Sequence, residues 1–125
     1  MEKQSIAIVG LDSVGSAFLE ELLGQSNSGV EIVAVVESAD TAGTALAEAR
    51  GIRNVSIDEL VAMGDGLDIL FDLTDVAAVR QELREKLRAS GNNHTIVATE
   101  NIARMIWALI SSGADLPSVH TRTGY

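Results

Sequence analysis

The 125-residue chain has no cysteine, one proline and only four aromatic side chains: two Phe, one Tyr and one Trp. Without cysteine, disulfides, thiolate metal centres and cysteine nucleophiles are excluded. A chain with one proline and 46% hydrophobic residues is expected to fold rather than stay disordered, and this length holds one core but hardly two. Basic residues are scarce too: 9 Lys and Arg stand against 18 Asp and Glu, a formal net charge of −9. That balance disfavours nucleic acid, whose phosphates need clustered Lys and Arg. No apolar run is long enough to span a bilayer. Met1-Glu2-Lys3-Gln4 leads directly into an aliphatic run, without the regions of a signal peptide. A cytoplasmic location is expected.

What the chain does have is Ala, Val, Ile and Leu in short runs, as in parallel strands buried on both faces. Ser5–Gly10, Val30–Val36, Asn54–Ile57, Leu67–Leu73 and His94–Thr99 read as five strands. Between them, Ser13–Leu23, Thr41–Arg50, Asp58–Met63 and Val76–Ala89 read as helices, and Glu100–Ser111 as a last one. Asp40 and Asp75 are the expected helix caps, and Gly51, Gly64 and Gly91 the expected stops. Strands alternating with helices imply right-handed βαβ units, hence an α/β domain with a parallel sheet of order 3-2-1-4-5 and helices on both faces. This three-layer, Rossmann-like domain is expected over 1–113, with a polar tail over 114–125.

The first strand runs into Gly10-Leu11-Asp12-Ser13-Val14-Gly15. Against the dinucleotide fingerprint G-x-G-x-x-G, the outer glycines are present and the middle one is Asp12. Gly10 permits the tight turn, and Gly15 permits close helix packing. The missing glycine is the one that lets the backbone approach a pyrophosphate. The following helix still offers N–H groups and a positive dipole end, with Ser13 and Val14 in its first turn. Two readings stay open: a phosphate sits there with Asp12 turned aside or bridged by a cation, or Asp12 caps the helix with its own carboxylate.

Glu37 follows Gly15 at the end of the second strand, near the spacing at which an acidic side chain accepts from an adenosine ribose. No Arg or Lys lies between Ser38 and Glu48, so nothing there would neutralise a 2′-phosphate and NAD is favoured over NADP. Thr74 and Thr99 close the fourth and fifth strands on the same edge and complete the expected cofactor set of Gly10, Asp12, Ser13, Val14, Gly15 and Glu37. Asp72 draws notice because a carboxylate within an aliphatic strand is costly unless bonded. Glu100 reads as a cap.

No catalytic residue is recognisable. His94 and His120 have no companion at metal-ligand spacing, and neither a G-x-S-x-G elbow nor a Walker lysine occurs. The last helix is apolar nearly all round, which predicts burial on several sides. A homodimer through Ile102, Ile106, Trp107, Leu109 and Ile110 would supply it, with Trp107 as anchor. The other reading has the tail folding back over that helix.

I-A-I-V-G at Ile6–Gly10 with Gly15, the E-I-V-A-V-V-E strand ending at Glu37, and L-D-I-L-F-D-L-T at Leu67–Thr74 together resemble a known group. It is the N-terminal NAD(P)-binding Rossmann domain of the dihydrodipicolinate reductase, homoserine dehydrogenase and aspartate dehydrogenase type. The resemblance implies cofactor contacts at Gly10, Ser13, Val14, Glu37 and Thr74. It implies no activity, because the catalytic domain of that group has no counterpart in this chain. The leading expectation is a stand-alone NAD-binding sensor or regulatory module. The alternatives are the cofactor-binding part of an oxidoreductase completed by a partner or dimer, a degenerate domain used for protein association, and a CoA-binding module.

Overall fold

The structure is a computed structural model that describes residues 3–25 and 29–110. Five strands, β1 (Gln4–Val9), β2 (Val30–Val36), β3 (Arg53–Asn54), β4 (Ile69–Asp72) and β5 (Ile96–Ala98), form one sheet of order β3-β2-β1-β4-β5. All four pairings are parallel. Among the described residues the α-helices are α1 (Ser13–Gly24), α2 (Ala42–Ala49), α3 (Ile57–Val61), α4 (Ala77–Ala89) and α5 (Glu100–Ile110). The order and the helical layers are those expected from the alternating pattern.

Alternation along each strand divides the core in two. On one face Ile6, Ile8, Val35, Phe71 and Ala98 pack with α1, α2 and α5. On the other, Ala7, Val9, Ala34 and Leu70 pack with α3 and α4. Phe18 of α1 meets Phe71 of β4 edge to face, with ring centroids 5.0 Å apart, a geometry worth about 1 kcal/mol beyond area burial. A row of isoleucines, Ile32, Ile6, Ile69 and Ile96, crosses four strands in register. It is packed at β1 but 63% exposed at Ile96 on the open edge.

Several boundaries differ from the sequence reading, each for a local reason. The third strand is only Arg53–Asn54, because Ser56 leaves the sheet early to close a capping box with Glu59. Asp40 does not cap α2; Thr41 does, in a capping box with Thr44. Asp75 does not cap α4 either. It adopts φ +56°, the N-cap is Val76 without a side-chain cap, and Thr74 Oγ1 accepts from the Val76 amide instead. His94 precedes β5 rather than starting it, with its amide bonded to Asn92 Oδ1 and its Nε2 2.5 Å from Asp68 Oδ1. Gly51 and Gly91 follow the C-caps of α2 and α4 with positive φ, as expected. Gly64 does not end α3, which stops at Val61 with Ala62 as C-cap, and instead opens a 3-10 turn over Gly64–Gly66.

The tail, with Pro117 and His120, and the boundary at residue 113 lie outside the described residues. Among the described residues no helix is long and apolar enough to cross a membrane.

Candidate functional site

β1 and β4 are neighbours in the sheet, but the chain leaving β1 runs on to β2 and the chain leaving β4 runs on to β5, and the glycine turn stands at this switch. Its outer glycines are demanded by the chain itself. Gly10 has φ +97°, and a Cβ there would lie 2.9 Å from the Thr74 methyl and 3.0 Å from the Leu73 carbonyl carbon. A Cβ on Gly15 would lie 1.9 Å from the Gly10 oxygen. No side chain fits at either position.

Asp12 takes the capping arrangement. Its Oδ1 accepts from the amides of Val14 at 3.2 Å and Gly15 at 3.4 Å. These are two of the donors that a helix N-terminus presents to an anion. The carboxylate thus takes two of the amides at this helix N-terminus, through long bonds. Ser13 is exposed at the first helical position.

Glu37 is held more firmly. Its Oε1 accepts from the Leu11 amide at 2.8 Å and its Oε2 from the Ala39 amide at 3.1 Å. Its own backbone is gripped by the Asn54 side chain, which accepts from Glu37 N–H (3.1 Å) and donates to Glu37 C=O (2.8 Å). The end of β2 is therefore tied to the turn after β1, and the carboxylate keeps lone pairs for further donors.

Thr74 is committed locally: its hydroxyl donates to Asp72 Oδ1 at 2.7 Å, and its amide does so at 3.1 Å. These two bonds offset part of the cost of burying Asp72, which has no exposed surface. Thr74 faces the site through the methyl against Gly10. Thr99 closes β5 two strands from the glycine turn, where its carbonyl receives the amides of Ile102 and Ala103. Glu100 forms an i,i+4 pair with Arg104 at 3.1 Å. The structure thus brings Gly10, Asp12, Val14, Gly15, Glu37 and Thr74 into one cluster and leaves Thr99 farther along the edge.

Three contributors escaped the sequence reading: Asn54, Ser16 and Gly43. Ser16 Oγ donates to the Leu11 carbonyl at 2.8 Å and accepts from the Gly43 amide at 2.9 Å. Only Gly43 carried a signal, since a glycine inside a helix costs about 1 kcal/mol and so calls for a packing reason. A groove of about 570 Å³ between α1 and α2 passes Asp12, Ser13, Ser16 and Thr41.

At the amino end of the strands, opposite the glycine turn, Asp68 joins three segments. It accepts from the Ser5 amide at 2.8 Å and contacts His94 Nε2 at 2.5 Å. The hydrogen bond from His94, followed by that from Ser5, holds its carboxyl below the usual range. Among the described residues, no three His, Cys, Asp or Glu side chains are grouped to hold a metal ion.

No family model matches the sequence, and no curated protein matches it. Solved structures do share its fold. A protein assigned as a myo-inositol dehydrogenase from Sinorhizobium meliloti 1021 superposes with a TM-score of 0.57 and 22% identity, over 75% of this chain and 27% of that one. Homoserine dehydrogenase from S. aureus superposes with a TM-score of 0.54 and 14% identity, over 98% of this chain and 34% of that one. The chain thus spans about a third or less of the structures it matches. The resemblance read from the sequence, to the N-terminal Rossmann domain of dehydrogenases, holds for the fold.

Proposed function

We propose that this chain binds a dinucleotide, NAD in preference to NADP, and acts as a nucleotide-sensing or regulatory module in the cytoplasm. The observation that carries the reading is the Glu37 carboxylate, fixed against the glycine turn by the Leu11 amide at 2.8 Å. With no cation between Ser38 and Glu48, that carboxylate suits a ribose bearing two hydroxyls and repels a 2′-phosphate. The adenosine half therefore fits the residues present. The pyrophosphate half fits once the Asp12 carboxylate yields the Val14 and Gly15 amides or shares a cation with the phosphates. In this reading Gly10 and Gly15 shape the turn, Ser13, Val14 and Gly15 donate to phosphate, and Glu37 accepts from ribose. Thr74 and Thr99 line the edge. NAD when bound would supply hydride exchange; this chain's residues bind and orient it.

Thermal shift with NAD, NADP and CoA tests the reading, because a ligand that binds only the folded state raises Tm by mass action. NAD is expected to raise Tm more than NADP. A larger rise with CoA would replace the cofactor, and no rise with any nucleotide would leave a domain used for protein association.

A second reading makes the chain the cofactor-binding part of an oxidoreductase completed by a partner or a second copy. It is favoured by the exposed Ile102, Met105 and Leu109 of α5, 43%, 54% and 77% accessible. Ile106 and Trp107, by contrast, pack against the domain's own core, so a homodimer would use the outer stripe with Trp107 beneath it. Turnover of NAD only in the presence of a second chain would select this reading.

A further inference from the structure

Leu11 is fully buried, and its peptide groups are held from both sides. The N–H donates to Glu37 Oε1 (2.8 Å), and the C=O accepts from Ser16 Oγ (2.8 Å). Ser16 Oγ in turn accepts from the Gly43 amide (2.9 Å) in the first turn of α2. The segment from Glu37 to Gly43 is thus anchored to the glycine turn at both ends, by Glu37 at one and by Gly43 through Ser16 at the other. A Cβ on Gly43 would stand 2.5 Å from Ser16 Oγ and 3.0 Å from the Leu11 Cβ. Contact this close between α1 and α2 is open only to glycine.

We propose that Ser16 and Gly43 are positioning residues of the nucleotide site, fixing the distance between its phosphate-receiving turn and its ribose-receiving carboxylate. The proposal rests on the nucleotide reading above and adds what that reading lacks, a reason for the two subsites to act together. A ligand that touches both subsites gains from their fixed spacing, because none of its binding energy goes into aligning them. A ligand confined to the ribose side gains nothing. Neither Ser16 nor Gly43 need touch the ligand.

The test compares NAD with adenosine by calorimetric titration of the wild type, Ser16→Ala and Gly43→Ala. The expected result is a loss of about tenfold in NAD affinity in both variants, the scale of one hydrogen bond, with adenosine changed less than about twofold. Equal losses for the two ligands would mean general loosening and would overturn the proposal, as would no loss for either. Wild-type protein that binds neither ligand would overturn the nucleotide reading and this inference with it. Wild type that binds NAD beside variants that bind it equally well would overturn the inference alone. Should the variants fail to fold, amide exchange in the wild type decides. NAD is expected to slow exchange at Gly43 and adenosine to leave it unchanged, and equal protection by both would refute the role.

Discussion

The Leu11 amide and Glu37 Oε1 lie 2.8 Å apart, so the turn leaving β1 and the acidic end of β2 form one hydrogen-bonded unit. Glu37→Gln keeps an oxygen for Leu11 but loses the charge. Hydrogen bonds to a charged acceptor exceed neutral ones by about 1 kcal/mol, so NAD affinity is expected to fall roughly fivefold. NADP affinity is expected to hold or rise, because the repulsion of the 2′-phosphate is gone. Titration calorimetry with both cofactors checks this. Unchanged NAD affinity would remove Glu37 from the ribose site.

Asp12 competes with any anion for the Val14 and Gly15 amides. Glycine at an N-cap is nearly as good as aspartate, so Asp12→Gly is expected to cost the ligand-free domain only about 0.5 kcal/mol. With the carboxylate gone, NAD is expected to bind about tenfold tighter and the Tm rise at saturation to grow. Weaker binding in this variant would mean that the aspartate helps to hold the ligand, by way of a cation, rather than excluding it.

The Asp68–His94 contact predicts an acid limb in stability. The carboxyl of Asp68 is held below its ordinary value by His94 and then by the Ser5 amide. Its folded pKa therefore lies under its unfolded one. The resulting stability is fully present above the unfolded pKa, about 3.9, and is lost as pH falls through the folded value. Asp68→Asn is expected to lower Tm at neutral pH and to reduce the fall of Tm below pH 4. Parallel melting curves of wild type and variant across that range would refute the contact.

Much of this architecture was legible because it is periodic. The aliphatic runs at Ile6–Val9 and Val30–Val36 are marked by their own local composition, and the glycines by their fixed spacing at 10 and 15. These are what pattern reading detects, although Gly10 answers to the distant Leu73 and Thr74. Glu37 was legible because its distance from Gly15 is set by one helix and one strand. The misplaced caps have another origin. Residue type alone marks Asp40 and Asp75 as caps, whereas Thr41 caps α2 because Thr44 pairs with it. Beside α4 the Val76 amide donates to Thr74 Oγ1, whose hydroxyl is also engaged by Asp72. Asn54 and the Ser16–Gly43 tie were illegible for a further reason. They act across 17 and 27 residues, and no local pattern marks which polar side chain will meet which backbone group.

The exposed stripe of α5 makes the last prediction, on assembly. Ile102, Met105 and Leu109 lie at helical spacing on one side of α5, and Ile96 is exposed on the edge strand that precedes it. Leu109 is 77% accessible, so Leu109→Lys removes little from the fold, within about 0.5 kcal/mol for a surface change. It also brings the net charge of −9 closer to zero, so general repulsion between copies falls. If two copies meet through this stripe, sedimentation of the wild type will show a dimer and the variant a monomer at the same concentration. Lysine would then be acting locally, by placing a charge where an apolar contact is required. A variant that stays dimeric would move the interface elsewhere, and a wild type that sediments as a monomer would leave the stripe to a different partner.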